Sequence, residues 1–144
     1  GYNYGALKMD RVKQVVRQTM FYASLVMIVG FLLVEIFPGL VAQIFTTDEQ
    51  LKDLSIRGLR IAFAFAPVVG FQMVVSNFFQ SIGRASKAVF LSSTRQLLFL
   101  VPLLIVLPRF FGTMGVWISL PISDAMAAVL AAIVLFKDKT FNTK

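Results

Sequence analysis

Four long apolar stretches, at residues 15–37, 59–79, 89–107 and 116–136, take up most of this chain. A helix rises about 1.5 Å per residue, so about 20 residues cross a ~30 Å hydrocarbon layer. Lipid offers no water to backbone N–H and C=O groups, so each stretch must close its own hydrogen bonds as a helix. The expected fold class is an all-α integral membrane protein with four antiparallel transmembrane helices. A helical bundle in water is the competing fold, but 58% hydrophobic and 15% charged residues lie far from the balance of a soluble domain.

The formal charge of +7 is distributed by position. Lys8, Arg11, Lys13 and Arg17 stand at or before the start of the first span. Arg84 and Lys87 lie between the second and third, and Lys137, Lys139 and Lys144 follow the fourth. In a four-pass chain these segments share one side. The opposite loops hold Lys52, Arg57 and Arg109, with Arg60 at a helix entrance, but also Asp48, Glu49 and Asp53. The more basic side, with segment 1–14 and the C-terminus, is therefore expected in the cytoplasm. The charge orients the chain and meets anionic lipid; no nucleic-acid partner is expected.

The chain has no Cys and no His. That removes disulfides, thiolate nucleophiles, imidazole bases and Cys/His metal sites. No two carboxylates share a span, so no enzyme and no cofactor are expected. The N-terminus lacks the short apolar core of a signal peptide. Gly1 in place of Met suits a trimmed or partial chain, or a processed N-terminus.

Residues 1–6 read as a helix end or turn, with Gly and Asn suited to left-handed backbone. The basic stretch 8–17 reads as an amphipathic segment running into the first span. Residues 40–45 suit a short interfacial turn, and Thr47 is the expected cap of the helix that follows the acidic loop. Pro67, Pro102 and Pro121 each remove a backbone donor within a span and mark kinks. Trp117, Phe110 and Phe111 suit an aromatic belt at the outer boundary, and Phe21 and Tyr22 one at the inner. Short loops make neighbouring helices antiparallel and adjacent.

Gln72, Ser76 and Gln80 fall at i, i+4 and i+8 on the second span, with Asn77 beside them. Such a stripe faces a wet cavity or bonds to neighbouring helices. Gln72, Ser76, Asn77 and Gln80 are thus the candidate cavity-lining residues. Phe71, Met73, Phe78 and Phe79 border them, either as a surface for flat apolar cations or as packing. The third span carries Arg95 and the fourth Asp124. Each alone costs ~2.5–3.5 kcal/mol at mid-bilayer on insertion scales. Both lie within about 5 Å of the midplane at 1.5 Å per residue, so the sequence predicts a buried Arg95–Asp124 pair. Its role is either a structural lock or a coupling site at Asp124. Glu35, near the outer end of the first span, is expected to reach interfacial water. Alanines at 125, 127, 128, 131 and 132 make the fourth helix narrow.

Several of these segments resemble, in order, the multidrug and toxic compound extrusion (MATE) transporters. The segment Gly1-Tyr2-Asn3-Tyr4-Gly5-Ala6 resembles the end of their eighth helix. Phe37-Pro38 with Leu40, then Phe45-Thr46 and an acid, resembles the end of the ninth helix and its outer loop. Phe79-Gln80-Ser81-Ile82-Gly83-Arg84 followed by Lys87 resembles the cytoplasmic end of the tenth. Arg95-Gln96 and Pro121-Ile122-Ser123-Asp124 resemble the eleventh and twelfth.

The resemblance implies a partial C-terminal lobe, residues 1–144 standing as helices nine to twelve of a twelve-helix, two-lobe transporter. It implies as partners the lipid bilayer, a missing N-terminal lobe with two preceding helices, and small amphipathic cationic substrates. It also implies H⁺ or Na⁺ as coupling ion and a bacterial inner (plasma) membrane location. The first-lobe coupling carboxylate of several members lies outside this chain. A tenth-helix acid cannot be carried over, because no Asp or Glu occurs in 59–80. Three other readings are a lipid-linked oligosaccharide flippase of related architecture, an independent four-helix transporter, and a four-helix subunit without transport activity. Arg95 is the only basic residue deep in a span, fewer than a pyrophosphate carrier usually needs.

Overall fold

The computed structural model describes residues 1–138 and 140. Lys139 and Lys144, two of the basic residues assigned to the cytoplasmic side, lie outside the described residues. The chain opens with a single turn, α1 (Tyr2–Gly5), and then α2 (Met9–Ile36), α3 (Pro38–Phe45), α4 (Glu49–Phe63) and α5 (Ala66–Ser81). Next, α6 (Ala85–Ser93) passes through a π-helical stretch (Thr94–Leu100) into α7 (Val101–Phe111), and α8 (Thr113–Lys137) follows. Three units are long and apolar enough to cross a membrane: α2, the continuous rod Ala85–Phe111, and α8. Leu51–Phe63 and Ala66–Ser81 meet the same measure only as a pair, bent by 47° at the break between them, so the described residues hold three such units, or four where that pair counts as one span. The protein is an all-α membrane protein.

The bend has a local cause. Pro67 has no N–H to offer the carbonyl one turn back, and its ring crowds that carbonyl. The helix therefore stops at Phe63, and α5 restarts with proline in its first turn, where a missing donor costs nothing. The second crossing, expected as one helix over 59–79, is thus two helices, the first beginning ten residues earlier. Pro102 acts on the third in another way. The backbone ahead of it widens, and the Val101 N–H bonds the Gln96 carbonyl, five residues back. Pro121 is absorbed inside α8 without a break.

Three smaller expectations change. Asp48, not Thr47, caps α4: its Oδ1 accepts the Leu51 N–H at 3.4 Å, while Thr46 Oγ1 accepts the Asp48 N–H at 3.2 Å. Residues 40–45 are not a turn but most of α3, an eight-residue helix started by Pro38. At the N-terminus the left-handed residue is Leu7 (φ +56°), not a Gly or Asn. Lys8 N–H bonds the Asn3 carbonyl and Leu7 N–H the Tyr4 carbonyl, which closes the chain around that residue.

Helix α5 is the hub, packed against α2, α6 and α8. The core joins Val12 and Val16 of α2, Val75, Phe78 and Phe79 of α5, Ala88 and Leu91 of α6, and Ala131 and Leu135 of α8. Small residues permit this closeness: a Cβ on Gly70 would lie 3.1 Å from the Ala23 carbonyl oxygen of α2. Ala127, Ala128 and Ala131 are buried on α8. Two glycines turn the chain between rods, Gly83 (φ +77°) before α6 and Gly112 (φ +57°) before α8. By contrast α2 leaves Phe21, Val26, Val29 and Leu33 exposed along its length. In water so long an apolar face would be unsupportable; in a bilayer it is ordinary. Trp117, expected in the outer belt, has a packing role as well. It is half-buried, its ring directly over Gly58 of α4.

Candidate functional site: a polar groove beside a buried ion pair

The stripe on α5 opens onto α6. Small residues there, Ala85 and Ala88, leave a groove of about 430 Å³ lined by Gln72, Ser76, Asn77 and Gln80 from one side. Ser92, Arg95 and Gln96 line it from the other. The four candidates differ in what they do. Ser76 Oγ donates to the Ala88 carbonyl at 3.1 Å and ties α5 to α6 across the groove. Gln72 is only 4% exposed, and its Oε1 has no hydrogen-bond partner among the described residues. Asn77 and Gln80 are exposed along the opening. Asn77 also borders a smaller cavity of about 260 Å³ between α2 and α5, with Thr19 and Ser81.

Of the apolar residues beside the stripe, only Met73 lines this groove. Phe78 and Phe79 turn into the core, and Phe71 packs against it. A helix turns 100° per residue, so sequence neighbours of a polar residue belong to different faces. The idea of an aromatic surface for flat cations therefore does not hold here.

Arg95 reaches out of the π-helical stretch. Its Nε donates to Asp124 Oδ1 of α8 at 2.7 Å, and the Asp124 side chain is 8% exposed against 33% for Arg95. Extra backbone in a π turn alters the direction in which its residues point; here it delivers Arg95 to both α8 and the groove. The serines of α8 make no such link. Ser119 Oγ donates to the Gly115 carbonyl at 2.6 Å and Ser123 Oγ to the Leu120 carbonyl at 2.8 Å, both within their own helix. Ser92 likewise donates to carbonyls of α6, at 3.1 Å each.

Two charged contacts escape the sequence reading. At one end of the bundle Arg60 Nε lies 3.4 Å from Glu35 Oε2, and an Arg60 Nη donates to the Glu35 carbonyl at 3.1 Å. Glu35 thus has a protein partner rather than water alone. At the other end Asp138 is buried. It accepts hydrogen bonds from Arg84, from Lys87 at 2.5 Å and from the Thr140 hydroxyl at 2.7 Å. Arg84 also reaches the Tyr4 hydroxyl at 3.4 Å, so the N-terminal turn, the α5–α6 loop and the end of α8 meet on one side. Burial opposes the charge on Asp138, but the hydrogen bonds from Lys87, Thr140 and Arg84 outweigh it and hold the carboxyl well below its ordinary range. The same bond to Asp138 raises Arg84 despite its desolvation. The available signal was an acid just after the last apolar run, opposite two cations between spans.

Comparison with known proteins agrees with this architecture. The MatE family model matches residues 1–106. Multidrug export protein MepA of Staphylococcus aureus (strain N315) is 22% identical over 135 residues, which is 94% of this chain and 30% of that protein. A solved structure described only as protein A superposes with a TM-score of 0.90 at 34% identity, covering 100% of this chain and 32% of its own. The chain therefore spans about a third of the length of these two relatives.

Proposed function

The chain belongs to the MatE family, and on that premise we propose that it forms helices nine to twelve, in the C-terminal lobe, of a multidrug efflux transporter. It is not an enzyme; the family moves compounds across membranes. The groove between α5 and α6 is the part of the transport path that this chain supplies, and the exposed Asn77 and Gln80 meet cargo there. The cargo is small amphipathic organic cations, exported against an inward H⁺ or Na⁺ gradient. The remaining lobe and two preceding helices close the path, as the one-third coverage of MepA suggests. The transporter sits in the plasma membrane, a bacterial inner membrane. The side carrying Arg84, Lys87 and Asp138 faces the cytoplasm, as the positive-inside rule directs. The Arg95–Asp124 pair acts as a lock that seats the π-helical stretch against α8.

The observation that carries this reading is the groove itself: a row of polar side chains along membrane-spanning helices, two of them exposed and free to meet a solute. Efflux of a fluorescent cation by the full-length transporter tests it. Asn77→Leu and Gln80→Leu, both at exposed positions, are expected to insert normally and to cut efflux severalfold. Wild-type efflux in the double variant would overturn the reading. Asp124→Asn with transport and its pH dependence unchanged fits the lock; a lost pH dependence would instead make Asp124 the coupling site.

A further inference from the structure

Apart from the polar groove, an apolar one runs between the π-helical stretch and α8. It measures about 420 Å³ and is lined by Phe99, Ala125, Met126, Val129, Leu130 and Ile133, with no polar side chain among them. Met126, Val129 and Ile133 are exposed. Steps of four, three and four residues put Met126, Leu130, Ile133 and Lys137 on one strip of α8. Asp124 is buried and turned to Arg95 instead, so this strip is separate from the ion pair. Lys137 closes the strip in the last turn of α8. It is exposed and has no ion pair or hydrogen bond among the described residues. Asp138, next in the chain, does not neutralise it, because that carboxylate is buried and held by Arg84 and Lys87.

We propose that this groove holds one acyl chain of an anionic glycerophospholipid whose phosphate rests on Lys137. Depth supports the fit. Lys137 stands eleven residues beyond Met126, about 16 Å at 1.5 Å per residue, close to half of a ~30 Å hydrocarbon layer. The strip therefore runs from the bilayer middle to the headgroup level of one leaflet, the cytoplasmic one in the orientation proposed above. Hydrocarbon gains only packing by leaving other hydrocarbon, so the groove decides where a tail lies and Lys137 decides which lipid supplies it. A basic residue near the surface favours an anionic headgroup by ~1 kcal/mol. A zwitterionic headgroup brings an ammonium of its own, which Lys137 repels. Gly1, where any preceding segment attaches, lies beside Ser81 at the cavity between α2 and α5, not at this groove. The site lies outside the polar groove and does not depend on the efflux reading.

The test uses the full-length protein in nanodiscs of phosphatidylethanolamine with a minor share of phosphatidylglycerol. Native mass spectrometry after release counts the lipids that stay bound. Wild type is expected to retain phosphatidylglycerol well above its share of the bilayer. Lys137→Gln, at an exposed position, is expected to lower that preference about fivefold, the equivalent of ~1 kcal/mol, and Lys137→Arg to keep it. Ala125→Phe fills the groove with apolar bulk and leaves Lys137 in place; it is expected to reduce retention of the same lipid. Added glycerol 3-phosphate is expected to displace nothing. Retention of the two lipids in proportion to their supply, or unchanged retention in Lys137→Gln or in Ala125→Phe, would overturn the proposal. Unchanged retention in both is also the result if another part of the full-length protein covers the groove. Displacement by glycerol 3-phosphate would make Lys137 part of a soluble-phosphate site and would overturn the lipid assignment.

Discussion

Replacing Arg95 with Gln strands Asp124, whose side chain is 8% exposed and 2.7 Å from its partner. Removing one member of a buried pair costs about 3–5 kcal/mol. Arg95 is one-third exposed, so the pair is only partly buried and the lower end, about 3 kcal/mol, applies. Asp124→Asn is milder, about 1.5 kcal/mol, because a stranded guanidinium can turn toward the wet groove. Arg95→Gln with Asp124→Asn removes both charges and leaves two amides that can bond each other, at a cost of about 2 kcal/mol. The coupling between the sites is then on the order of 2–3 kcal/mol, at the upper end for residues in contact. Unfolding free energies of the full-length protein and the three variants in mixed micelles give this number directly. Single effects that add to the double effect within about 0.5 kcal/mol would show that the two groups do not stabilise one another.

Glycine contacts predict a graded pair of effects. A Cβ on Gly58 would lie 2.1 Å from ring carbons of Trp117, and one on Gly115 would lie 2.4 Å from the Leu107 carbonyl. Gly58→Ala should cost about 1–3 kcal/mol, and Trp117→Phe should recover part of it. Gly115→Ala should cost more, because backbone cannot rotate aside; melting temperatures of the full-length variants check the order. The Asp138 cluster predicts a pH effect with a definite sign. Its folded carboxyl titrates below the ordinary value of 3.8, so its contribution is complete above that value and fades as pH falls further. Asp138→Asn should lower the melting temperature at neutral pH and remove that acid-side loss, as melts between neutral and strongly acid buffer would record.

Much of this architecture is readable from the chain because lipid leaves so few options. Run length alone places α2, the rod Ala85–Phe111 and α8, and a helical spacing of four puts Gln72, Ser76 and Gln80 on one face. Arg95 and Asp124 can be matched because two lone charges at similar depth on adjacent rods have few other partners. What resists reading depends on where the backbone breaks. Pro67 announces a disruption but not its 47° angle, nor does the sequence show that Arg60 of α4 lies beside Glu35 of α2. Pro102 looks the same in sequence, yet it is accommodated by a π turn rather than a break. Asp138 follows the last apolar residue and resembles a solvated tail; its burial depends on three segments far apart in sequence. Phe78 and Phe79 show the limit of adjacency, since they neighbour Asn77 and Gln80 in sequence but sit in the core.

The claim on which the functional account turns is that the α5–α6 groove holds water and cargo while the outer faces of the rods hold lipid. Cysteine is absent from this chain, so single cysteines introduced here in the full-length transporter, with any other cysteines removed, report cleanly. With a hydrophilic, membrane-impermeant maleimide, Asn77→Cys and Gln80→Cys are expected to react and to be protected by an exported cation, while Ile133→Cys on α8 stays unlabelled. Labelling of Ile133→Cys at the rate of the groove positions, or no labelling at either groove position, would contradict the account.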